Sequence, residues 1–300
     1  MVQRKPIIWF LVISFAISWT LFLAPLAFKS NPAAYSQAAL LFWALAMWGP
    51  GIAAIVATVW VAKEPFSELR LNKLGKARYY VIAWLLPPLM CFLAVGLTVL
   101  IGTGKLDLSF STLKTMLEQT PSTRAIPIGL VVALQLLQGL LLGPIINIFA
   151  TMGEELGWRG FLLPRLLPLG QWRAILLSGV IWGIWHAPAI LQGYNYPQHP
   201  VWGVLLMTVS TVMLGTIFSW LYLATRSPWV AALAHGSLNA WGGLPILFLA
   251  AGFDMAYGGT IISMTGWIVM GVVIGILVLT KQLPVKLPEE PLAAATAVME

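Results

Sequence analysis

Apolar runs, most of them long enough to cross a bilayer, follow one another through this chain from Pro6 to about Thr280. A helix rising ~1.5 Å per residue needs ~20 apolar residues to span ~30 Å of hydrocarbon. Inside lipid every backbone N–H and C=O has to be paired within the protein, so such runs commit the chain to membrane helices. The sequence predicts eight spans: Pro6 to about Phe28, about Ala38 to Ala62, Tyr79 to Ile101, about Ala125 into the TMGEELGWRG stretch ending at Gly160, about Ala174 to Leu191, about Val201 to Ala224, about Trp229 to Leu249, and about Thr260 to Thr280. The first begins like a signal peptide, after Arg4 and Lys5, but is too long for the apolar stretch of one. Gly49-Pro50-Gly51, Pro87-Pro88 and Gly143-Pro144 mark expected kinks. With 59% hydrophobic and 9% charged residues among 300, the chain has too little polar surface to coat a soluble globule. The expected fold class is all-α: a polytopic integral membrane helical bundle of about eight transmembrane helices. It forms one domain over 1–300, with its core at about 125–250 and a disordered tail at about 284–300.

The net charge of +7 does not point to nucleic acid, because the basic residues sit in short loops and form no basic face. They read instead as topology signals, since cytoplasmic loops carry the excess of Lys and Arg. With the first loop inside, the inner set holds thirteen: Arg4, Lys5, Lys63, Arg70, Lys73, Lys76, Arg78, Arg159, Arg165, Arg173, Arg226, Lys281 and Lys286. The outer set holds four: Lys29, Lys105, Lys114 and Arg124. A multi-pass cell-membrane protein with both termini cytoplasmic is expected, with the TMGEELGWRG stretch and its cavity facing the cytoplasm. The polar connection from Gly102 to Arg124 is expected outside the bilayer, with Leu106, Phe110, Leu113 and Leu117 on a short interfacial helix. Close helix contact is expected at the small-residue pairs Gly139/Gly143, Gly153/Gly157, Gly179/Gly183 and Gly271/Gly275. Cys91 is the single cysteine and forms no internal disulfide.

A few polar side chains stand where such a chain tolerates them poorly. Glu154, Glu155 and Arg159 end the fourth run, His186 follows Trp182 by four residues in the fifth, and His235 precedes Asn239 by four in the seventh. A charge at membrane depth costs at least ~2.5 kcal/mol, so these residues are expected to face the bundle interior and to serve a function. Glu155 and Arg159 form an i, i+4 ion pair in the favourable order. Glu154 projects ~100° away from that face, free to act on a proton or a metal. A glutamate, two imidazoles and an amide can together activate water and stabilise an oxyanion in amide hydrolysis. The competing metal arrangement makes Glu154, His186 and His235 ligands of a divalent ion such as zinc, although the compact HExxH spacing is absent. The metal-free arrangement is preferred because Glu155, which would have to replace Glu154 as base, is committed to Arg159. Trp182 is expected to shield His186 by packing, and His199, in the loop YNYPQHP, to be solvated without a role.

In these three places the sequence resembles the type II CAAX prenyl endopeptidases and their bacterial relatives, the bacteriocin-processing and self-immunity (abortive-infection type) membrane proteases. Their motifs EExxxR, FxxxH and HxxxN appear in order as Glu154-Glu155-Leu-Gly-Trp-Arg159, Trp182-Gly-Ile-Trp-His186 and His235-Gly-Ser-Leu-Asn239, with Trp182 where Phe is usual. The resemblance implies an intramembrane endopeptidase acting on a peptide or lipidated protein substrate. In it Glu154 and His186 activate water while His235 and Asn239 bind the oxyanion. The alternative is a non-catalytic membrane scaffold or immunity protein that uses the same residues to bind a peptide or a membrane-protein partner.

Overall fold

The computed structural model describes residues 2–118 and 126–287, and its regular elements are helices. Helix α1 (Arg4–Leu23) runs on through a 3-10 turn to Phe28. Next, α2 (Pro32–Ala46) leads after a step at Met47 and Trp48 into α3 (Gly49–Val56), which a π-helical turn extends to Val61. Then come α4 (Ala77–Ile101), α5 (Ser111–Glu118) in the polar connection, α6 (Ile128–Leu141) and α7 (Gly143–Glu155). A π-helical segment, Leu156–Leu162, joins α7 to α8 (Leu163–Leu166). The remaining helices are α9 (Gln171–Trp185), α10 (Ala187–Leu191), α11 (Pro200–Thr225), α12 (Pro228–Trp241) and α13 (Met264–Leu279).

The expected count of eight spans is not reproduced. Four stretches are long and apolar enough to cross a membrane: Arg4–Phe28, Pro32–Val61, Ala77–Ile101 and Pro200–Thr225. A fifth is reached if α6 and Gly143–Leu169, which meet at 50°, count as one bent span. The other apolar runs fold into helices of 15 residues (α9), 14 (α12) and 16 (α13), short of the ~20 a crossing needs. Proline and glycine set these limits, with Pro188 just past α9, Pro228 opening α12 and Gly242-Gly243 closing it. Short helices can end inside the bundle because neighbours enclose them: α9 lies against α11, and α12 against α4 and α7.

The kink signals have different outcomes. At Gly49 and Gly143 helices end and restart, whereas α4 continues through Pro87 and Pro88. Pro88 has no N–H to give the carbonyl of Trp84, and Ser237 Oγ donates to that carbonyl at 2.7 Å instead. The pair Gly153/Gly157 makes the expected close contact. A Cβ on Gly153 would stand 2.6 Å from Met47 O, and one on Gly157 2.4 Å from Pro50 Cβ. Only hydrogen at both positions lets α7 and the π segment meet the Gly49–Gly51 step backbone to backbone. Gly179/Gly183 do the same against α11, but Gly271/Gly275 meet no neighbouring backbone.

Cross-links define the two ends of the bundle. At one end, which carries most of the Lys and Arg, Gln3 bonds to Glu64, Glu64 pairs with Arg165, Trp229 Nε1 donates to Leu71 O, and Gln171 holds Val285 through both backbone groups. Of the stretch expected to be a disordered tail from about 284, Val285 is anchored and Leu283 just before it is buried, while 288–300 lie outside the described residues, as does Arg124. At the far end Trp19 Nε1 donates to Trp185 O, Gln192 Nε2 to Phe22 O, and Ala250 N to Lys105 O. His199, expected to be solvated without a role, is about a third exposed and pairs there with Asp254 at 2.7 Å.

Candidate active site

The two glutamates close α7, and the π segment that follows carries Arg159. All three are buried, with relative exposures of 2%, 0% and 1% in chain order. The ion pair expected from the i, i+4 spacing is present: Arg159 Nη1 donates to Glu155 Oε1 at 2.9 Å. The same oxygen takes the Nδ1 hydrogen of His235, also at 2.9 Å, so Glu155 ties α7 to α12 as well as to its own turn. The Arg159 guanidinium lies over the Trp182 ring, 4.4 Å from its centroid, and 5.4 Å from that of Phe218. That cation–π layer stands in for water around a charge that water cannot reach. Arg159 is thus a core residue, not a loop residue that reports topology.

Glu154 turns away from this layer, and two indoles hold it. Trp182 Nε1 donates to its Oε2 at 2.6 Å and Trp158 Nε1 to the same oxygen at 3.4 Å, which leaves Oε1 for the cavity. Sequence spacing placed Trp182 beside His186. It could not reveal that both indole N–H groups point at one carboxylate oxygen. Trp182 is therefore more than the packing wall expected of it. A phenylalanine there would keep the wall and lose the donor.

The two imidazoles are fixed at their inner nitrogens. His186 Nδ1 lies 2.8 Å from Trp182 O, and His235 Nδ1 faces the Glu155 carboxylate. Carbonyl and carboxylate oxygens only accept, so both Nδ1 atoms carry hydrogen, and in the neutral rings both Nε2 atoms present a lone pair. His186 can then accept a hydrogen bond from water. His235 can donate to an oxyanion only as the imidazolium, whereas the Asn239 amide donates in any state. Asn239 sits one turn beyond His235, exposed on the wall of the cavity.

Glu154, His186, His235 and Asn239 line one cavity of about 560 Å³. Two further polar walls are Asn147, a polar residue that stands out inside the fourth apolar run, and Tyr194, which sequence reasoning missed because nothing in its local sequence marks it. Apolar side chains make up most of the rest, among them Phe22, Trp43, Trp185 and Met207. The expectation that this cavity faces the end richer in Lys and Arg is overturned. Besides residues within α2, α7, α9, α11 and α12, its walls include the last turn of α1, the residues after α9 and α12, and the 255–262 loop, which lie at the far end. On the other side of Glu154, Phe10, Trp158, Phe161 and Leu162 fill the bundle with no exposed surface.

Among the described residues no three His, Cys, Asp or Glu side chains are placed to share a metal ion.

Residues 135–241 match the family model described as type II CAAX prenyl endopeptidase Rce1-like. The resemblance read from the motifs holds. All six motif residues, Glu154, Glu155, Arg159, His186, His235 and Asn239, lie inside the matched segment. A CAAX prenyl protease 2 from Methanococcus maripaludis is 25% identical over 199 residues, which cover 61% of this chain and 66% of that protein. The family is one of membrane endopeptidases, and the apolar helices agree with a membrane protein.

Proposed function

We propose that this chain is an intramembrane endopeptidase that hydrolyses a peptide bond with water activated by Glu154. The observation that carries the reading is the carboxylate of Glu154, held by Trp182 and Trp158 at the buried end of a cavity also lined by His186, His235 and Asn239. Water between Glu154 Oε1 and His186 Nε2 gives a proton to the carboxylate as its oxygen bonds to the substrate carbonyl carbon. Asn239 Nδ2 donates to the oxyanion, joined by His235 when its ring is protonated. The C–N bond then breaks, and Glu154 returns its proton to the leaving amine, which restores the carboxylate. Glu155 and Arg159 act on this chemistry through His235, whose orientation they fix. The substrate is a peptide or lipidated protein segment held in the membrane, and both chain termini are cytoplasmic by the charge asymmetry of the loops.

Glu154→Gln tests the reading, because it keeps the size of the side chain and its contacts with the indoles while removing the base. Cleavage should fall by ~10² to 10⁴ with the fold retained, read by comparing the termini of membrane proteins in cells that carry either form. Identical termini would favour the scaffold alternative.

A further inference from the structure

The cavity and the basic residues lie at opposite ends of the molecule. Once Arg159 is set aside as a core residue, twelve of the thirteen Lys and Arg in the richer set remain, and their segments meet at the end defined by Glu64–Arg165 and Gln171–Val285. Among the described residues the far end carries Lys29, Lys105 and Lys114. Twelve against three is a strong asymmetry under the rule that cytoplasmic loops hold the excess of Lys and Arg, a rule that acts on short loops such as these. The packed layer around Phe10, Trp158 and Phe161 closes the route from the basic end to Glu154. At the far end the cavity is open: Leu40 of α2, which lines it, is 76% exposed.

We infer that the cavity is entered from the non-cytoplasmic half of the membrane. On the endopeptidase reading above, its substrate is an apolar peptide segment presented from that leaflet, not a tail reaching in from the cytoplasm. The wall chemistry agrees, since Phe22, Trp43, Trp185 and Met207 offer contacts for apolar side chains on the approach to Glu154.

The test is labelling of single introduced cysteines in the full chain in intact cells with a charged, membrane-impermeant maleimide. Cys91 is buried and gives a silent background. Asn195→Cys, on the cavity wall, and Tyr257→Cys, on the exposed far-end loop, should label without permeabilisation. Lys73→Cys and Lys286→Cys should label only after it. Labelling of the second pair in intact cells, with loss of labelling of the first, would overturn the inference; two sites at each end guard against one variant that misfolds. Repeating the assay with Glu154→Gln added separates the two readings. A reversed chain that still cleaves through Glu154 sinks the orientation alone, and a chain oriented as inferred without Glu154-dependent cleavage sinks the function alone.

Discussion

The halves of the bundle on either side of Glu154 are built differently. Toward the basic end, aromatic rings fill the interior and the charges of Glu155 and Arg159 face each other at 2.9 Å. Toward the far end, the helices part around about 560 Å³ of cavity, where Glu154, His186 and Asn239 keep hydrogen-bonding capacity unspent. Two adjacent glutamates thus meet opposite fates because α7 turns one toward each half. A closed half makes a buried charge structural, and an open half leaves it available for chemistry. Substitutions in the closed half should therefore register first as stability, and those in the open half as rate.

The largest stability effect is expected from Arg159→Ala, which leaves Glu155 as an uncompensated buried charge at a cost of ~3 to 5 kcal/mol. Thermal unfolding in detergent checks it. Full stability together with lost cleavage would break the comparison by giving Arg159 a direct part in the reaction. In the open half, Asn239→Ala should lower turnover by ~10² to 10³ and leave KM and melting temperature nearly unchanged, because the amide acts on charge that develops in the transition state. Trp182→Phe lies on the boundary and sharpens the contrast. It keeps an aromatic face for Arg159 and His186 but removes the 2.6 Å hydrogen bond to Glu154, so turnover should fall by on the order of ten-fold with a smaller change in unfolding temperature. Equal activity for Phe and Trp would show that Trp158 alone positions the carboxylate.

The smallest effect is expected at the far-end loops. Partial burial acts to raise the Asp254 carboxyl, but the His199 hydrogen bond, the Ala256 N–H and the charge of His199 together hold it below the ordinary carboxylate range. A lowered folded value means that the pair contributes its stability above the unfolded carboxylate range and loses it as pH falls through the folded value. His199→Ala should therefore cost less than ~1 kcal/mol near neutral pH, since both partners are about a third exposed, and nothing in strong acid. Unfolding followed across the acid range checks the sign.

Much of the closed half was legible along the chain. The Glu155–Arg159 pair is one helical turn, the Gly153/Gly157 contact is a spacing of small residues, and the asymmetry of Lys and Arg needs only their order. Local periodicity encodes such features because both partners ride on one helix, or because loops alternate sides regardless of packing. The open half was legible as residues and not as an arrangement. The six motif residues could be named, yet the sharing of Glu155 by Arg159 and His235, the two indole N–H groups on Glu154, the place of Asn147 and Tyr194 on the wall, and the end at which the cavity lies depend on helices far apart in sequence. The span count of eight was not reproduced for a related reason. Hydropathy reads a run as apolar whether its neighbour is lipid or protein, and it does not foresee that α9, α12 and α13 form helices of only 15, 14 and 16 residues. What the sequence determined by itself was a helical membrane chain with a charge asymmetry and its reactive side chains. Which of those charges is silenced and which is left to act was decided by tertiary packing, because burial and hydrogen-bond partners belong to pairs of helices and not to any one of them.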